Sequence, residues 1–446
     1  MKRIISAFMM SVVLVAEFSG CAFNGTVVSN QKEAEQKNVK QTTVTFWSYC
    51  ATPERDADYK RFGKILNEEH PDIVLDYLGV SGDVQTFQKK LDVAIAAGTA
   101  PDFSDYYDSK YIKSGFYEPL DSYFNSWADK DKIDSNIVQM IRNCDGQKKQ
   151  LYALPFSTQP WGMWVRTDLL RKAGLDIPKT WNQFFAAAQK LTDKSNDQYG
   201  IAIRGGFGSA NSLEALMYSY SGITDYFDKN GKCTINNSKN VEFVQRYLGL
   251  YNKYSAKDDL VKGWTALSAS FQAGKAAIIF HNFGSGTSMD AAFSKDITKY
   301  EAAMTPISAD GKTQVQFVVP RAVAMNSASK VKNQVFTAMT VYCSPQIQVP
   351  RCKIQGEVPT HKDGATAPAY IDTGRPYIQL AAQISSGKSG KFMEIPIYLP
   401  EYSSIQSAIE PMIQKVMMKN MTAQELLDSW AKMLENAKRN FDSGVQ

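Results

Sequence analysis

The clearest pattern of apolar and polar positions lies in residues 151–191, where an apolar run, an aromatic loop and an amphipathic helix follow one another. The first four residues are apolar, as in a buried strand, and Pro155 is expected to end that strand. Thr180 and Gln183 have the spacing of a capping box, which predicts a helix that begins at Trp181. That helix carries one apolar stripe: Trp181, Phe184, Phe185, Ala188 and Leu191. Its spacing of three and four residues predicts that Trp181 packs in a core.

The same two periodicities predict strands and helices along the rest of the chain. Strand-like runs occupy residues 43–47, 73–78, 199–203, 316–319 and 322–325, and helical stripes occupy residues 53–69, 83–97, 212–221, 239–253 and 330–343, with two more beginning at Tyr402 and Thr422. The last stripe includes Trp430, which is therefore expected in a core. Ligands of open α/β sheets bind at the carboxyl ends of strands, so Trp47 and Tyr49, at the end of the first strand, are candidate pocket residues.

Length and charge narrow the class of protein. A chain of 446 residues exceeds what one hydrophobic core commonly fills, which predicts two or more lobes. The hydrophobic fraction of 44% is ordinary for a globular protein, and the net charge of +5 is small. Because no arginine-rich stripe or nucleic-acid-binding motif accompanies that charge, nucleic acid is not an expected partner.

The N-terminus has the pattern of a processing signal followed by a tether. A Lys-Arg pair precedes the apolar run of residues 4–16, which is too short to span a membrane as a settled helix, and the segment Phe-Ser-Gly-Cys21 that follows resembles a bacterial lipobox. Residues 1–20 are therefore predicted to be a signal peptide, Cys21 to be lipidated, and residues 21–41 to be a polar tether. This would anchor the protein to the outer face of a bacterial cell membrane. The alternative is a simple signal peptide with an incidental cysteine.

Cysteine and histidine spacing indicates neither a metal site nor a cofactor. Five cysteines remain after Cys21, and an odd number cannot all pair with one another. Cys343 and Cys352 are close enough in sequence for a disulfide, but free buried thiols are an equal alternative. No CxxC pair or His/Cys cluster is present, and the three histidines are widely scattered, so we predict no metal and no cofactor.

Five short motifs occur in one order along the chain. The central motif comprises Tyr152-Ala-Leu-Pro155, Trp161, Trp164, Asp168-Leu-Leu170, Lys172-Ala-Gly-Leu175, Pro178 and Thr180-Trp181. The other four are Gly98-Thr-Ala-Pro-Asp102, Gly115-Phe-Tyr-Glu-Pro-Leu-Asp121, Phe271-Gln-Ala-Gly-Lys-Ala-Ala-Ile-Ile-Phe280 and Gln355-Gly-Glu-Val-Pro-Thr-His-Lys-Asp363. Together they resemble the extracellular solute-binding proteins of ABC importers, in particular the carbohydrate-binding family that includes the maltose-binding proteins. One departure is Arg166, which stands where that family usually has Asn.

This resemblance implies an α/β fold of the periplasmic-binding-protein type, with two lobes joined by a hinge. Residues 42–122 and 281–326 are then expected to form the N-lobe, and residues 123–280 and 327–446 the C-lobe. The implied function is capture of a sugar or oligosaccharide in the cleft between the lobes and its delivery to a membrane ABC permease by a lipid-anchored monomer. A ligand that contacts both lobes would stabilise the closed form, and no reaction on the ligand is expected.

Sugar binding requires flat aromatic rings for the C–H faces of a pyranose and short polar side chains for its rim of hydroxyls. Residues of these types at strand ends and in loops, rather than on helix stripes, are therefore the candidates. The predicted ligand-binding set is Trp47, Tyr49, Asp105, Tyr106, Tyr107, Gln159, Trp161, Trp264, Asn282, Phe283, Glu357 and Tyr402. Trp164, Asp108 and Arg321 are further candidates of the same kind.

Three other functions remain open at this point. The cargo could be a peptide, a polyamine, iron or a phosphate ester, and the adjacent Tyr106 and Tyr107 are compatible with iron. A secreted glycoside-acting enzyme would need two opposed carboxylates, one with a raised pKa, and no motif pairs them. The same fold could also serve a sensor that presents sugar to a membrane receptor. No GxSxG, HExxH, Walker or kinase motif is present, which favours binding over catalysis.

Overall fold

The structure is a computed structural model that describes residues 40–145, 148–371, 374–387 and 389–444. The predicted signal peptide and Cys21 lie outside the described residues, as does the tether up to residue 39. No helix in the described ranges is both long and apolar enough to cross a membrane.

Strands and helices alternate through the first part of the described chain, and helices predominate after residue 325. The strands are β1 (Thr42–Tyr49), β2 (Ile73–Val80), β3 (Phe103–Ser104), β4 (Ala153–Val165), β5 (Tyr199–Ile201), β6 (Ala276–Asn282), β7 (Glu301–Ala303), β8 (Val315–Met325), β9 (Val358–Pro359) and β10 (Lys391–Met393). The helices are α1 (Pro53–Glu69), α2 (Val84–Ala97), α3 (Lys110–Lys113), α4 (Asp121–Ser126), α5 (Ser135–Asn143), α6 (Thr167–Lys172), α7 (Trp181–Lys190), α8 (Ser209–Ser221), α9 (Ser238–Leu248), α10 (Trp264–Gln272), α11 (Gly286–Ala292), α12 (Lys332–Tyr342), α13 (Pro345–Gln355), α14 (Lys362–Ala365), α15 (Pro368–Ile371), α16 (Pro376–Ser385), α17 (Tyr402–Met417) and α18 (Ala423–Ser443).

The described strands form a mixed sheet whose central path is β2-β1-β3-β8-β4-β6-β5. β1 is parallel to β2 and β3, whereas β8 is antiparallel to β3 and β4, and β4 is antiparallel to β6. β7 and β9 pair with β4, and β10 pairs with β8. The two long strands β4 and β8 therefore join the β1 side of the sheet to the β5–β6 side.

Two strand predictions were too short. β4 continues through Pro155 to Val165, and its pairing with β8 shifts register between Pro155 and Ser157. Proline has no N–H to donate, and an irregularity at this point lets the ladder continue past the missing donor. The two short runs predicted at residues 316–325 form the single strand β8.

Helix boundaries lie within three residues of the sequence prediction, except that α9 ends at Leu248, five residues before the predicted end at residue 253. Capping boxes are formed at Thr180 and at Thr422. At each site the threonine hydroxyl accepts a hydrogen bond from the backbone N–H of the third helical residue, and the side chain of that residue accepts one from the backbone N–H of the threonine. Gly98 ends α2 in the left-handed conformation, with φ 68°. Trp181 and Trp430 are 1% and 0% exposed, which confirms that both helix stripes face a core.

Three hydrophobic clusters divide the described chain into two lobes. The first cluster packs β1, α1, β2, α2, α5 and α12 against the first part of β4 and the last part of β8, and we call this region lobe 1. The second packs the end of β4, the start of β8 and most of β6 against α7, α8, α9, α17 and α18. The third surrounds Trp164 with residues of α10, α11, α13 and α16. We call the region of the second and third clusters lobe 2.

These clusters draw on residues from both sides of the predicted lobe boundaries, which stay a prediction. Residues 123–156 and 327–347, expected in the C-lobe, contribute Phe124, Leu151 and Val335 to the core of lobe 1. Residues 281–303, expected in the N-lobe, contribute to the third cluster. The crossings between lobes fall inside β4 and β8, because each of these strands is long enough to supply apolar side chains to both cores.

All five described cysteines are free thiols, so Cys343 and Cys352 do not form a disulfide. Cys50 is half-buried, and the other four are buried. Cys343 lies in the first cluster and Cys352 in the third, which shows that their side chains serve packing.

A carboxyl group lies in the core of lobe 2. Glu214 on α8 is 1% exposed and accepts hydrogen bonds from Tyr402 Oη at 2.6 Å and Gln406 Nε2 at 2.9 Å. No cation pairs with it among the described residues. Burial therefore raises the pKa of Glu214 to about 7, against the hydrogen bonds from its neighbours, which lower it. Tyr402, a predicted ligand contact, is thus a core residue that binds Glu214.

Replacing Glu214 by Gln should remove one pH dependence of stability. The folded-state pKa of about 7 lies above the ordinary 4.5, so Glu214 favours folding most below pH 4.5 and progressively less as the pH rises through 7. Relative to wild type, Glu214→Gln should gain about 3 kcal/mol of unfolding free energy between pH 4.5 and about pH 8. Denaturant titrations across this range measure the difference.

The matched control is Glu301→Gln, which changes an exposed glutamate on β7. It should keep the wild-type pH profile. Parallel profiles for Glu214→Gln and wild type would contradict the assignment of a raised pKa to Glu214.

Candidate functional site

A buried ion network lies where β4 and β8 cross between the lobes. Arg321 on β8 donates through Nη1 to Glu357 Oε1 at 2.6 Å, and its Nη2 lies 3.5 Å from Asp105 Oδ2. Arg351 on α13 donates through Nη2 to Asp105 Oδ2 at 3.0 Å. These four side chains are at most 5% exposed. Their opposite charges compensate the loss of solvation that each would otherwise suffer.

The network lowers the pKa of Glu357. Burial alone would raise the pKa of Glu357, but the charges of Arg321 and Arg351 and the hydrogen bond from Ser157 hold it below its usual value. Asp105 also accepts from Tyr59 Oη at 2.5 Å, and burial raises the pKa of that phenol to about 12. Asp105 and Glu357, both predicted to contact ligand, are therefore committed to arginine and shielded from solvent.

One wall of the candidate site projects from this network in lobe 1. The guanidinium of Arg321 lies over the ring of Tyr49, with its Cζ 4.5 Å from the ring centroid. Tyr49 meets Tyr106 edge to face at 6.0 Å between ring centroids. Tyr106 Oη donates to Asp108 Oδ2 at 3.1 Å, and both tyrosines are half-buried. The ends of β1 and β3 lie side by side in the sheet, which explains why these residues meet.

A second wall lies in lobe 2 and contains three neighbouring rings, two of them stacked. Trp161 in the second half of β4 is paired with Asn282 on β6. The ring of His281, the residue before Asn282, lies 5.4 Å from the indole, measured between ring centroids. Trp264 begins α10 and stacks on His281 at 3.6 Å and 16°. All three rings are half-buried. We call Trp161, Trp264 and His281 the aromatic wall.

His281 is neutral in this setting. Burial and the nearby charge of Arg204 lower the pKa of His281 well below its usual value. Its Nδ1 is 2.7 Å from Ser285 Oγ, so the ring can exchange a hydrogen bond with that hydroxyl. A neutral imidazole between two indoles adds a ring to this wall without adding charge.

Gln159 connects the network to the second wall. Its Nε2 donates to Glu357 Oε1 at 2.8 Å. A Cβ placed on Gly284 would lie 2.8 Å from Asn282 Oδ1 and 3.6 Å from Gln159 Nε2, so the two amides border the same glycine. Amide groups beside flat rings can serve the hydroxyls of a bound sugar.

The structure brings some predicted residues together and separates others. Tyr49, Asp105, Tyr106, Gln159 and Glu357 meet around the network, with Arg321 and Asp108; Trp161, Trp264 and Asn282 meet on the second wall. Trp47 is half-buried and lies on the α2 side of β1, where Lys90 Nζ is 5.1 Å from its ring. Tyr107 stacks on Tyr117 at 5.7 Å and its hydroxyl is buried.

Two predicted aromatic contacts pack in a core. Phe283 is fully buried and meets Trp164 edge to face at 5.8 Å. Tyr402 is 6% exposed and binds Glu214, as described above. Both rings belong to the hydrophobic clusters of lobe 2.

Sequence reasoning missed His281, Arg204 and Arg351. His281 was not among the candidates, although it precedes Asn282, which was. Arg351 lies on α13 and reaches Asp105 across a sequence separation of 246 residues, which no local pattern reveals. Within the described ranges, no three His, Cys, Asp or Glu side chains are placed to hold a metal ion.

Comparison with known families and proteins gives one consistent result. The family model described as "Bacterial extracellular solute-binding protein" matches residues 51–349. The mannitol-binding protein of Pseudomonas aeruginosa is 27% identical over 225 residues, which are 49% of this chain and 50% of that protein. The arabinooligosaccharide-binding protein of Bacillus subtilis is 26% identical over 262 residues, or 56% and 55%. The chain therefore spans about half the length of the curated relatives it matches.

Solved structures show the same fold. A solute-binding protein of Thermotoga lettingae bound with α-D-tagatose superposes with a TM-score of 0.75 at 20% identity, covering 89% of this chain and 100% of that one. Maltose-bound MalE3 of T. maritima gives 0.74 at 18% identity, covering 88% and 99%. The fold is therefore the two-lobed α/β fold of periplasmic binding proteins.

Replacing Glu357 by Gln should destabilise the protein at neutral pH. The change leaves Arg321 buried without its closest anion, which typically costs about 3–5 kcal/mol of unfolding free energy. Because the pKa of Glu357 is lowered on folding, its contribution is complete above pH 4.5 and is lost as the pH falls through the lowered value. The difference in unfolding free energy between wild type and variant should therefore become smaller in acid. Denaturant titrations at several pH values measure it.

Glu68→Gln is the matched control, since Glu68 pairs with Lys64 on the exposed side of α1 with 60% of its side chain in solvent. It should change stability little at any pH. Equal effects of the two substitutions at pH 7 would show that the ion network does not stabilise the fold.

Proposed function

The chain belongs to the family of bacterial extracellular solute-binding proteins, and from this we propose that it captures a sugar or oligosaccharide between its lobes and delivers it to the permease of an ABC importer. The observation that carries the proposal is the aromatic wall of Trp161, Trp264 and His281, flanked by the amides of Gln159 and Asn282. Flat rings suit the C–H faces of a pyranose, and amides suit its hydroxyls. Relatives named for mannitol and arabinooligosaccharides support the same class of ligand.

Closure of the two lobes is the proposed mode of capture. Lobe 1 touches the C-terminal part of lobe 2 through a few polar contacts, including Ser109 Oγ to Ile397 O at 2.7 Å and Ser403 Oγ to Asp108 Oδ2 at 3.0 Å. When the lobes separate, hydrogen bonds to water can replace hydrogen bonds of this kind. A ligand that binds both walls would then favour the closed form by its differential affinity for it.

The charges of the site favour binding without reaction. A glycosidase needs a carboxylic acid with a raised pKa beside the scissile bond. Here the pKa of Glu357 is lowered, and both Glu357 and Asp105 are paired with arginine. Glu214 has the raised pKa but is buried in the core of lobe 2. Iron binding by Tyr106 and Tyr107 finds no support either. The hydroxyl of Tyr107 is buried beside its stack with Tyr117, and the hydroxyl of Tyr106 donates to Asp108.

Sugar binding should be visible as a thermal shift and a fluorescence change. A panel of mono- and oligosaccharides should include ligands that raise the Tm and quench or shift tryptophan emission, because binding to the native state stabilises it by mass action. Trp264→Ala should weaken binding of such a ligand roughly 30-fold, since it removes a large ring from the site. Titration calorimetry measures the affinities.

Trp127→Ala is the matched control. Trp127 is half-buried at the end of α4, where it packs on Phe124 in lobe 1 away from both walls. Its removal should leave ligand affinity unchanged. No response of the wild type to any sugar, or equal loss of affinity in both variants, would contradict the proposed site.

A lipid anchor at Cys21 is the proposed means of holding the protein outside the cell membrane. The family acts outside the cytoplasm, and the segment Phe18-Ser-Gly-Cys21 resembles a lipobox. Mass spectrometry of the mature wild type should find an N-terminal Cys21 that carries diacylglycerol, in the membrane fraction. Cys21→Ser should move the protein to the soluble fraction without changing its ligand-induced shift of Tm. An unmodified Cys21 in the wild type would overturn the anchor alone.

A further inference from the structure

Arg204 is an arginine beside the aromatic wall that has no ion-pair partner among the described residues. It follows β5, and its Nε donates to the carbonyl oxygen of Phe207 at 2.6 Å. Its side chain is half-buried. The buried arginines of the molecule behave differently: Arg166, Arg321 and Arg351 each lie within 3.0 Å of a carboxylate.

The position of Arg204 is costly for a cation. Burial lowers the pKa of Arg204 to about 10, although the charge of Glu410 acts in the opposite direction. A guanidinium that has lost much of its water gains most from a new anion with matching geometry. The terminal nitrogens of Arg204 form no hydrogen bond within the described part of the chain.

The nearest carboxylate is occupied elsewhere. Glu410 on α17 accepts from the backbone N–H groups of Gly208 and Ser209 at the start of α8, so its oxygens cap that helix. Asp259, which faces the same loop, accepts from Ile203 N at 2.7 Å and from Lys262 Nζ at 2.8 Å. Neither acid lies within ion-pair distance of Arg204.

Arg204 begins a loop that borders the aromatic wall. The backbone N–H of Gly206 in this loop donates to the carbonyl oxygen of Lys262 at 3.0 Å, two residues before Trp264. A Cβ built on Gly208 would lie 2.3 Å from Arg204 Nη2, so the guanidinium lies against the loop backbone at Gly208. A Cβ on Gly263 would lie 3.8 Å from Phe207 O, so this loop also borders the residue that precedes Trp264.

We propose that the sugar bound by this protein is acidic, and that Arg204 binds its carboxylate while the aromatic wall stacks on its ring. The inference rests on the proposed function and names the ligand class of that same site. A uronate is a pyranose whose C6 is a carboxylate, so one residue of it offers a C–H face and an anion. Arginine binds a carboxylate through two parallel N–H···O bonds, which a hydroxymethyl group cannot replace.

The test compares acidic sugars with their neutral counterparts. Di- and trisaccharides of galacturonate and glucuronate, the same compounds as methyl esters, and the corresponding galactose and glucose oligosaccharides are titrated into the wild-type protein by calorimetry. At least one acid should bind roughly 30-fold or more tightly than its methyl ester, because esterification removes the anion and leaves the rings unchanged.

Variants assign the preference to Arg204. Arg204→Gln should bind the acid and its methyl ester with similar affinities. Arg204→Lys should retain part of the preference for the acid, since lysine keeps the positive charge but lacks the two parallel N–H donors of the guanidinium. Arg171→Gln is the control, because Arg171 is an exposed arginine of lobe 2 without a carboxylate partner in the described chain. It should keep the full preference. If Arg204→Gln fails to fold, the ratio of the affinities of the wild type for the acid and for its methyl ester still shows whether the bound sugar is acidic.

The outcomes separate this inference from the proposed function. Binding of neutral sugars with no preference for acids would overturn the inference and leave sugar capture intact. An acid preference that survives in folded Arg204→Gln would overturn the role of Arg204. Binding of neither acidic nor neutral sugars would overturn the proposed function and the inference with it.

Discussion

The structure depends on a set of buried charges that neutralise one another where the two lobes meet. Arg321 and Arg351 would be prohibitively costly to bury alone, and so would Asp105 and Glu357. Paired, they lock β8, α13 and the end of β3 into one arrangement at the crossing of β4 and β8. The ring of Tyr49 packs under the guanidinium of Arg321, and the side-chain amide of Gln159 donates a hydrogen bond to Glu357. The positions of both groups in the candidate site therefore follow from the pairing of four charges.

The two long strands explain why the site lies where it does. β4 supplies Phe156 to the core of lobe 1 and Met163 to the core of lobe 2, and β8 does the same with Val323 and Phe317. The residues of each strand that lie between these two core positions pass from one hydrophobic core to the other. Ser157, Gln159 and Arg321 occupy this interval, so polar groups collect where the hydrophobic cores end.

The same types of side chain acquire different chemistry from their surroundings. Glu357 is buried beside two arginines and stays ionised, whereas Glu214 is buried among phenols and amides and holds its proton to about pH 7. Arg321 is buried and paired, whereas Arg204 is half-buried and unpaired within the described chain. His281 is kept neutral between two indoles by burial and by Arg204. The charge and the pairing of a side chain are thus set by its position in the fold and not by its type.

Local patterns in the sequence determined the elements. The capping boxes at Thr180 and Thr422, the glycine after α2 and the apolar stripes around Trp181 and Trp430 act over a few residues, so each could be predicted from its neighbours. The ordered motifs likewise indicated the fold. The tertiary structure alone decided the lobe boundaries and the composition of the site. Phe283 and Tyr402 looked like loop aromatics but fill cores, while Arg351 and Asp105 pair across 246 residues. Burial and charge pairing are properties of positions brought together by folding, and no window of neighbouring residues contains them.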